Sequence, residues 1–440
     1  MEKIALVSLG CAKNLIDSEV MLGCLNRSGY EFTSRVEDSD IIIINTCGFI
    51  EPAREEALSE IRKAVQVKRK HPTRRIVVTG CYVQREQDFL SHRFPEVDVW
   101  MGVNDFDQIS FAIRGIPYPR RNRTFLYNHA TPRHLSTPPG WAYVKISEGC
   151  SHHCAFCAIP LIKGPYQSRP ISSIVREVSR LVSEGIREID LVSQDTTFYG
   201  RDTGMKDDLP HLLRELIAIN DLDWIRLLYG YPEEITDSLL EIMQAEKICS
   251  YLDIPFQHAA PRIVRSMQRG LSGKPALELI ETIRKKLPDV ALRTSVIVGF
   301  PGEGKEEYNH LLEFVREARF DNLGVFTYSR ESGTACFDLG DPIKNSVKQR
   351  RRNRLMELQA NIAYDCNAKY LGRKLEVLIE GILQDDPSTW IGRTRFQAPE
   401  VDGIVLITTA APSKRVPIGE IHTVEITRRD GYDLYGELIT

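Results

Sequence analysis

The chain has 440 residues, of which 42% are hydrophobic and 27% are charged, an ordinary composition for a globular protein of two or three domains. It contains no apolar run of about eighteen residues and no signal-peptide pattern at its start, so we expect no membrane span and a cytoplasmic location. A formal net charge of −3 argues against a general electrostatic grip on nucleic acid, although a local basic patch remains open.

Four apolar stretches open the chain, and a helical pattern follows each of them. The strand candidates are KIALVSLG, IIIINTC, RRIVVTG and VDVWMGV. The helices are expected at residues 14–27, 51–70, 83–90 and 106–113. This alternation predicts a parallel sheet with helices on both faces, which is a doubly wound α/β domain over residues 1–115.

A second alternation follows a break in the pattern. Residues 116–140 contain five prolines and no hydrophobic period, which indicates an interdomain linker. Six strand candidates come next, namely YVKIS, IDLVS, WIRLLY, YLDIPF, LRTSVIVGF and LGVFTY. Helical stretches such as residues 174–183 and 275–286 separate them. Residues 141–366 are therefore predicted to form a partial (βα)6 barrel, with its chemistry at the carboxyl ends of the strands.

The last part of the chain changes character twice. Residues 345–370 are strongly helical and include the basic run QRRRNR, which we interpret as a solvated helix face. Short strand candidates follow, namely KLEVLIEG, WIGRTRF, GIVLITTA and IHTVEITRR. They predict a small antiparallel β-barrel of the OB kind in a domain over residues 367–440.

Three cysteines lie close together in the stretch EGCSHHCAFCAIP, directly after the first strand of the central domain. Cys150, Cys154 and Cys157 form a Cys-x3-Cys-x2-Cys pattern. A zinc site would need a fourth ligand, which His152 or His153 could supply, but the distant second cysteine pair typical of structural zinc is missing. A purely structural role also stays open. The pattern favours a 4Fe-4S cluster with three thiolates, whose fourth iron is open to a small chelating molecule.

Three further cysteines share one topological position. Cys11, Cys47 and Cys81 each stand just past the end of a predicted parallel strand. In a doubly wound sheet such loops open onto one crevice, so these residues predict a second three-thiolate cluster rather than three unrelated buried cysteines. Cys24, Cys249, Cys336 and Cys366 share no spacing and are assigned to packing.

The loop of Cys150, Cys154 and Cys157 resembles that of the radical S-adenosylmethionine enzymes, in which the amino and carboxylate groups of S-adenosylmethionine occupy the open iron. Phe156 matches the aromatic residue that commonly precedes the third cysteine. The resemblance implies that one electron from the cluster breaks a carbon–sulfur bond and yields a 5′-deoxyadenosyl radical. Such a radical removes hydrogen from an unactivated carbon, which acid–base groups cannot do at neutral pH.

Together, the three predicted domains resemble the methylthiotransferase family over essentially the full chain, and the C-terminal module of that family is called TRAM. The resemblance implies two 4Fe-4S clusters. One cluster makes the radical, and the other holds or delivers sulfur. A second S-adenosylmethionine supplies the methyl group.

Several stretches are similar to the branch that modifies the β-carbon of an aspartate in small-subunit ribosomal protein S twelve. They are VSLGCAKNLIDSEVMLG, NTCGFIEPAREE, SQDTTFYG, RTSVIVGFPGE and GRTRFQAPEVDG. The family more often has proline at the position of Ala12 and an acidic residue near Gln397, and these departures leave the assignment standing. The sister branch, which methylthiolates adenosine in tRNA, is the main alternative.

Charge gives an independent indication of the substrate. Residues 369–440 contain nine Lys and Arg against eleven Asp and Glu, which suits a basic ribosomal protein better than nucleic acid. Glu400 and Asp402 are candidate contacts to that protein, or ordinary solvated loop residues. A non-catalytic iron–sulfur electron carrier and a zinc-bearing RNA-binding protein are alternatives from other classes. An electron carrier would need neither a six-unit barrel nor an open iron beside it. The charge balance disfavours a zinc-bearing RNA-binding protein.

The resemblance also suggests residues for the S-adenosylmethionine pocket. Gln194, Gln257, Arg293 and Gly299 follow or belong to predicted barrel strands, and each alone could be a turn or capping residue. The expected partners are the ribosomal protein or the small subunit, a flavodoxin or ferredoxin as electron donor, and a sulfur donor. No membrane partner and no strong nucleic-acid binding are expected.

Overall fold

The computed structural model describes residues 2–204, 208–409 and 417–439. The chain divides into two compact units. Unit 1 contains residues 1–136, 145–174 and 329–338, and unit 2 contains residues 137–144, 175–328 and 339–440. No helix within the described ranges is long and apolar enough to cross a membrane.

A five-stranded parallel sheet forms the centre of unit 1. Its elements are β1 (Lys3–Ser8), α1 (Ala12–Arg27), β2 (Glu31–Phe32), β3 (Ile41–Thr46), α2 (Glu51–Lys70), β4 (Arg75–Gly80), α3 (Cys81–Arg93), β5 (Val99–Met101) and α4 (Ile109–Ile113). The strand order is β2-β1-β3-β4-β5, and every neighbouring pair is parallel. The doubly wound fold is therefore confirmed. Only the two-residue strand β2 was not predicted, because so short a segment shows no hydrophobic period.

The apolar runs of the sequence explain this sheet. All six residues of β3 are buried, as expected for a strand that is covered on both faces. On α2, Ala57, Ile61, Ala64 and Val65 are the buried residues, and they recur at the spacing of one helical face. This face packs against a core that includes Ile42. The strand ends are thereby fixed in place, and the loops that follow them carry the cysteines.

The chain continues with β6 (Trp141–Lys145), β7 (Ser147–Glu148), α5 (Ile159–Lys163), β8 (Gln167–Ser168), α6 (Ile171–Ser183), β9 (Glu188–Val192), α7 (Asp208–Ile217), β10 (Trp224–Leu227), α8 (Asp237–Ile242), β11 (Tyr251–Asp253), α9 (Pro261–Ser266), α10 (Gly273–Lys286), β12 (Ala291–Val298), α11 (Lys305–Ala318) and β13 (Asn322–Thr327). The six strands that the sequence predicts for this domain are β6 and β9 to β13. They run in the orders β6-β9-β10 and β11-β12-β13, and a parallel bridge between Ile225 and Ile248 joins the two groups. The predicted (βα)6 order is confirmed, and the short antiparallel strand pair β7–β8 was not predicted.

The C-terminal part of unit 2 is a closed barrel. Helix α12 (Asn345–Cys366) precedes the barrel. The barrel strands are β14 (Lys374–Leu383), β15 (Asp386–Thr394), β16 (Val405–Thr408), β17 (Ile421–Asp430) and β18 (Asp433–Leu438). The strands close in the order β14-β15-β16-β18-β17, and β16 pairs with β18 in parallel. The OB-like barrel is confirmed, although its fifth strand, β18, was not predicted. Residue 410, the last of the predicted strand GIVLITTA, lies outside the described residues.

A buried ionic network joins this barrel to the strands of the central domain within unit 2. Arg393 of β15 donates to a Glu188 carboxylate oxygen of β9 at 2.8 Å, and Arg226 of β10 lies 2.7 Å from the other. All three side chains are at most 2% exposed. Burial raises the pKa of Glu188, but the two guanidinium groups outweigh it and lower the pKa overall. The barrel is therefore fixed to the central strands by charge as well as by packing.

Two carboxyl-to-amide substitutions in this network should change stability in opposite directions. Glu188→Gln removes the carboxylate that the two buried guanidinium groups share, which leaves Asp190 beside Arg226 and Glu380 beside Arg393, and should cost about 3 kcal/mol. The Asp190 carboxylate accepts no hydrogen bond within the described residues, although it lies 3.2 Å from Arg226 Nε, and burial, with the charge of Glu188, outweighs that guanidinium and raises its pKa well above the usual range. Its ionised form therefore destabilises the fold above its unfolded pKa of about 4, so Asp190→Asn should add about 1 kcal/mol at neutral pH.

Thermal unfolding of both variants at pH 7 and near pH 4 checks this expectation. The gain of Asp190→Asn should shrink at the lower pH, because the wild-type carboxyl is then protonated in both states. Destabilisation by Asp190→Asn at pH 7 would show that its carboxylate contributes to the ionic network instead of opposing it.

Candidate functional site

Cys11, Cys47 and Cys81, here called the N-terminal triad, lie at the carboxyl edge of the unit 1 sheet. Cys11 is the N-cap of α1, directly after β1, and Cys81 is the first residue of α3, directly after β4. Cys47 follows β3. The sheet order reverses between β1 and β3, and this switch point is where open α/β sheets bind their ligands. The structure therefore brings the three predicted residues to one crevice.

The first two loops of the N-terminal triad approach each other very closely. Gly10 has φ of +93°, and a Cβ atom there would lie 2.7 Å from Cβ of Cys47 and 3.1 Å from its Sγ. Only glycine fits this position. The buried Asn45 side chain donates to the carbonyl of Asn14 and to Ser18 Oγ at 2.9 and 2.8 Å. These bonds fix the end of β3 against α1 and hold both cysteine loops in register.

The thiols of the N-terminal triad share one electrostatic environment. Burial raises the pKa of Cys47 to about 11 and that of Cys81 to about 12, and a charge on Cys11 would raise both further. Three thiols that interact electrostatically in this way do not ionise together without a cation, since each negative charge opposes the next. Metal binding must therefore displace their protons, as is usual for thiolate ligands.

The second set of cysteines, Cys150, Cys154 and Cys157, here called the loop triad, lies between β7 and α5 in unit 1. The Cys150 N–H donates to the carbonyl of Gly164 at 3.1 Å, and the Cys157 N–H donates to the carbonyl of Cys154 at 3.0 Å. Gly149 has φ of +77°, and a Cβ there would lie 2.2 Å from the carbonyl oxygen of Pro165. The backbone therefore fixes the start and the end of this loop before any metal binds.

Each donor set consists of three thiols. All ten cysteines lie within the described ranges, and none forms a disulfide. Among the described residues, no group of three His, Cys, Asp or Glu side chains is placed to hold a metal ion. A cubane takes each thiolate on a different iron, so a set of three thiols would leave one iron open.

Four fully buried charges connect the elements that carry the cysteines in unit 1. The Lys145 ammonium group contacts Asp17 of α1 and donates to Glu148 at 2.7 Å. The Lys163 ammonium group donates to Asp17 at 2.9 Å and lies 3.4 Å from Glu148. Burial lowers the pKa of Lys163, but the two carboxylates outweigh it and raise the pKa well above normal. We call this neutral set of two cations and two anions the buried quartet.

The segment 329–338 contributes a second ionic contact to unit 1. Glu331 is buried and accepts from Arg85 of α3 at 2.7 Å, and it also pairs with Arg54 of α2. The same Arg85 nitrogen donates to the carbonyl of Gly48, next to Cys47, at 3.0 Å. Further along, the Cys336 N–H donates to the carbonyl of Ala155 at 2.9 Å. The segment therefore contacts both cysteine loops.

Three of the residues predicted for the S-adenosylmethionine pocket follow strand ends in unit 2. Gln194 lies after β9, Gln257 after β11 and Gly299 after β12. Gln257 has φ of +69°, a strained conformation for a residue with a side chain, and such strain is concentrated at functional sites. Arg293 is not with them, since it is the third residue of β12 and donates to Asp402 at 2.6 Å. Phe156 lies in unit 1, in the loop that carries the loop triad.

The two acidic residues predicted to contact the substrate differ in exposure. The Asp402 side chain is 0% exposed and accepts from Arg293 and from the hydroxyl of Tyr251, the latter at 2.7 Å. A substrate contact by Asp402 would have to replace these bonds. Glu400 is exposed and accepts from the hydroxyl of Tyr143 at 3.0 Å. Of the two carboxylates, Glu400 is the more accessible to a partner.

Sequence reasoning missed the buried quartet and the contacts of Glu331. Asp17 lies 128 positions from Lys145 and 146 from Lys163, so no local pattern connects them. Lys145 and Glu148, shortly before Cys150, carried a hint, because a charged residue in an otherwise apolar strand often has a buried partner.

Comparison with known proteins agrees with this architecture. Residues 3–102 match the family described as Uncharacterized protein family UPF0004, residues 144–315 match the Radical SAM superfamily, and residues 371–439 match the TRAM domain. Among solved structures, the radical S-adenosylmethionine methyltransferase TsrM from Kitasatospora setae is similar, with a TM-score of 0.54 and 13% identity over 74% of this chain and 73% of that chain. At this identity the likeness concerns the fold alone.

Sequence relatives extend over the full length. The ribosomal protein uS12 methylthiotransferase RimO of Acetivibrio thermocellus is 43% identical over 100% of this chain and 98% of its own. The protein of the same name from Geobacter sulfurreducens is 42% identical over 100% of this chain and 99% of its own.

The barrel, its Cys-x3-Cys-x2-Cys loop and the superfamily match define a radical S-adenosylmethionine enzyme, a class that uses S-adenosylmethionine and a 4Fe-4S cluster. The full-length relatives specify it further. The chain belongs to the ribosomal protein uS12 methylthiotransferase family, which confirms the family resemblance of the sequence.

Proposed function

We propose that this protein attaches a methylthio group to the β-carbon of an aspartate in ribosomal protein uS12, replacing one carbon–hydrogen bond by a carbon–sulfur bond. The observation that carries the proposal is the presence of two separate cysteine triads in one compact unit. A radical enzyme that only abstracts hydrogen needs one triad. A second triad supplies a place for the sulfur atom. A ribosomal substrate is consistent with action in the cytoplasm.

The loop triad would hold the cluster that binds S-adenosylmethionine. When bound, this cluster supplies the electron that cleaves S-adenosylmethionine and so produces the hydrogen-abstracting radical. The residues of the chain prepare the site. The backbone bonds of Cys150 and Cys157 fix the loop, and the three thiolates leave one coordination position open. Gln194, Gln257 and Gly299 at the strand ends are the residues that we propose for the S-adenosylmethionine pocket.

The N-terminal triad would hold the second cluster, with one position open for sulfur. Its support is the shared crevice of three strand ends and the close approach of Gly10 to Cys47. A sulfur donor and a flavodoxin or ferredoxin as electron donor complete the reaction. A second S-adenosylmethionine supplies the methyl group. We divide the roles by domain, with residues 1–115 for sulfur, residues 141–366 for the radical after a linker at 116–140, and residues 367–440 for the substrate.

Substrate recognition is proposed to involve the C-terminal barrel. Its acidic balance of eleven Asp and Glu against nine Lys and Arg complements a basic ribosomal protein. Glu400 is exposed on the loop that follows β15, so it is the side chain that we propose for a direct contact. Asp402 supports this loop through Tyr251 and Arg293. A tRNA substrate would instead favour a basic barrel surface.

Methyl-labelled S-adenosylmethionine tests the proposal directly. The anaerobically reconstituted enzyme would be incubated with sulfide, reductant, small ribosomal subunits and total tRNA, and protein would then be separated from RNA. Label is expected on one ribosomal protein, at an aspartate of uS12 that mass spectrometry locates. Label in tRNA would assign the chain to the sister branch. Absence of any label, with eight bound irons and fast electron transfer, would instead indicate an electron carrier.

A further inference from the structure

Two positively charged side chains of α12 are largely buried near the start of this helix in unit 2. Lys348 and Arg351 lie one turn apart, and their side chains are 5% and 14% exposed. The buried residues that continue this face of the helix are Leu355, Gln359 and Ile362. The sequence predicted a solvated face for the run QRRRNR, and Arg351 is the exception. Burying a cation costs free energy unless specific bonds compensate, so the partners of these two residues indicate their role.

Arg351 is bonded to residues 299–304, here called the β12 loop because they follow β12. Its guanidinium group donates to the Glu303 carboxylate at 2.7 Å and to the carbonyl oxygens of Glu303 and Gly304 at 3.1 and 3.3 Å. The other carboxylate oxygen of Glu303 accepts from the Gly299 N–H at 2.6 Å. The Glu303 side chain is fully buried, so Arg351 supplies the charge that balances it. The carboxylate closes the β12 loop, and Arg351 fixes this loop to α12.

Lys348 packs directly against the first residue of the β12 loop. Gly299 has φ of +79°, and a Cβ there would lie 2.4 Å from Cγ of Lys348 and 2.8 Å from its Cδ. The Lys348 ammonium group donates to the carbonyl of Tyr328, which follows β13, at 2.9 Å and to Asp341 at 2.6 Å. These two bonds hold its aliphatic stem over Gly299. Glycine is therefore required here by the contact with α12 as well as by the backbone conformation.

The Glu303 carboxylate also lies next to the loop that follows β11. His258 Nε2 is 3.6 Å from this carboxylate, and His258 Nδ1 accepts from the Ala260 N–H at 3.0 Å. His258 is buried and directly follows Gln257, the residue with the strained φ of +69°. One carboxylate that α12 neutralises therefore contacts both loops that carry Gln257 and Gly299, two of the residues proposed for S-adenosylmethionine.

We propose that Lys348 and Arg351 are positioning residues for S-adenosylmethionine, because they hold the β12 loop in the conformation that binds it. The inference rests on the proposed function, since it takes Gly299 as part of that pocket. Neither cation needs to touch the bound molecule. Arg350 of the same helix is exposed and forms no hydrogen bond to the β12 loop within the described residues, so the role belongs to the two buried cations.

The test measures the response of reconstituted holoenzymes to S-adenosylmethionine. Arg351→Gln and Lys348→Met each remove one buried cation, and Arg350→Gln removes an exposed one as the control. The readouts are the concentrations at half-maximal formation of 5′-deoxyadenosine and at half-maximal change of the electron paramagnetic resonance spectrum of the reduced cluster. Both concentrations should rise about tenfold in the Arg351 and Lys348 variants. The maximal rate and the iron content should stay near those of the wild type, and the control should match the wild type throughout.

Further variants separate positioning from a general effect on folding. Arg351→Lys keeps a charge beside Glu303 but loses the forked guanidinium that also reaches the carbonyl oxygens, so it should recover part of the affinity that Arg351→Gln loses. Gly299→Ala places a methyl group against the stem of Lys348, and Lys348→Ala removes that stem. The fold-loss of affinity in this double variant should therefore be smaller than the product of the two single losses.

Several outcomes would overturn the proposal. Unchanged half-maximal concentrations in both buried-cation variants, or an equal rise in Arg350→Gln, would each do so. A lower unfolding temperature with unchanged half-maximal concentrations would show a purely structural role. If Arg351→Gln does not retain its clusters, the Arg351→Lys variant and the Gly299 and Lys348 pair decide the question. Failure of the proposed function appears separately, as wild-type enzyme that gives both responses to S-adenosylmethionine but transfers no label to uS12.

Discussion

Replacing Cys150 with alanine is expected to abolish the cleavage of S-adenosylmethionine, and with it every later step. Replacing Cys47 with alanine is expected to spare cleavage and to block the transfer of the methylthio group. The reason is that each triad supplies only three thiolates, so the loss of one leaves too few ligands to retain its cluster. Iron content, formation of 5′-deoxyadenosine and label on uS12 are the three measurements. Each variant should fall from about eight bound irons to about four.

Cys24 provides the matched control in unit 1. Its thiol is half-buried, and burial raises its pKa to about 11, as it does for Cys47. Cys24 lies in the last turn of α1, outside both triads. Cys24→Ala should therefore keep both clusters and both activities. Equal loss of cleavage and transfer in the Cys150 and Cys47 variants would contradict the division of labour. Full iron content in the Cys47 variant would contradict a second cluster at the N-terminal triad.

Both triads were accessible to sequence reasoning for different reasons. The spacing of Cys150, Cys154 and Cys157 is local, so it can be read directly from the chain. Cys11 and Cys47 are far apart in sequence, and only the prediction of parallel strands brought them together. In a parallel sheet all carboxyl ends lie at one edge, so strand ends that are distant in sequence share one surface. The N-terminal triad was therefore predicted from the order of the strands and not from the spacing of its cysteines along the chain.

Contacts between distant polar residues could not be predicted in the same way. Arg393 and Glu188 are 205 positions apart, and neither lies in a pattern that indicates burial or a charged partner. The barrel strand β18 escaped notice because DLYGEL has few apolar residues to alternate. The basic run of α12 was correctly predicted to be helical. The proximity of Lys305 of α11 to this run became visible only in three dimensions.

Asp17→Asn should cause a large loss of stability in unit 1. The buried quartet is neutral only while its two carboxylates face its two ammonium groups, and all four side chains are at most 4% exposed. Without the Asp17 charge, Lys145 and Lys163 share Glu148 alone, and one positive charge remains buried without compensation. Removing one member of such a set typically costs about 3–5 kcal/mol. Thermal unfolding of the purified protein measures this loss.

The control and the rescue make this prediction specific. Asp38→Asn breaks an exposed pair with Arg35, whose side chains are 52% and 71% exposed, and it should cost less than about 0.5 kcal/mol. Asp17→Asn combined with Lys163→Met restores neutrality and should recover part of the loss, because no charge is then left unpaired. Since Cys11 is the N-cap of α1 and Lys163 precedes the residue that accepts from the Cys150 N–H, Asp17→Asn should also lower the iron content. If Asp17→Asn unfolds at the wild-type temperature with full iron, the quartet does not support the cysteine loops.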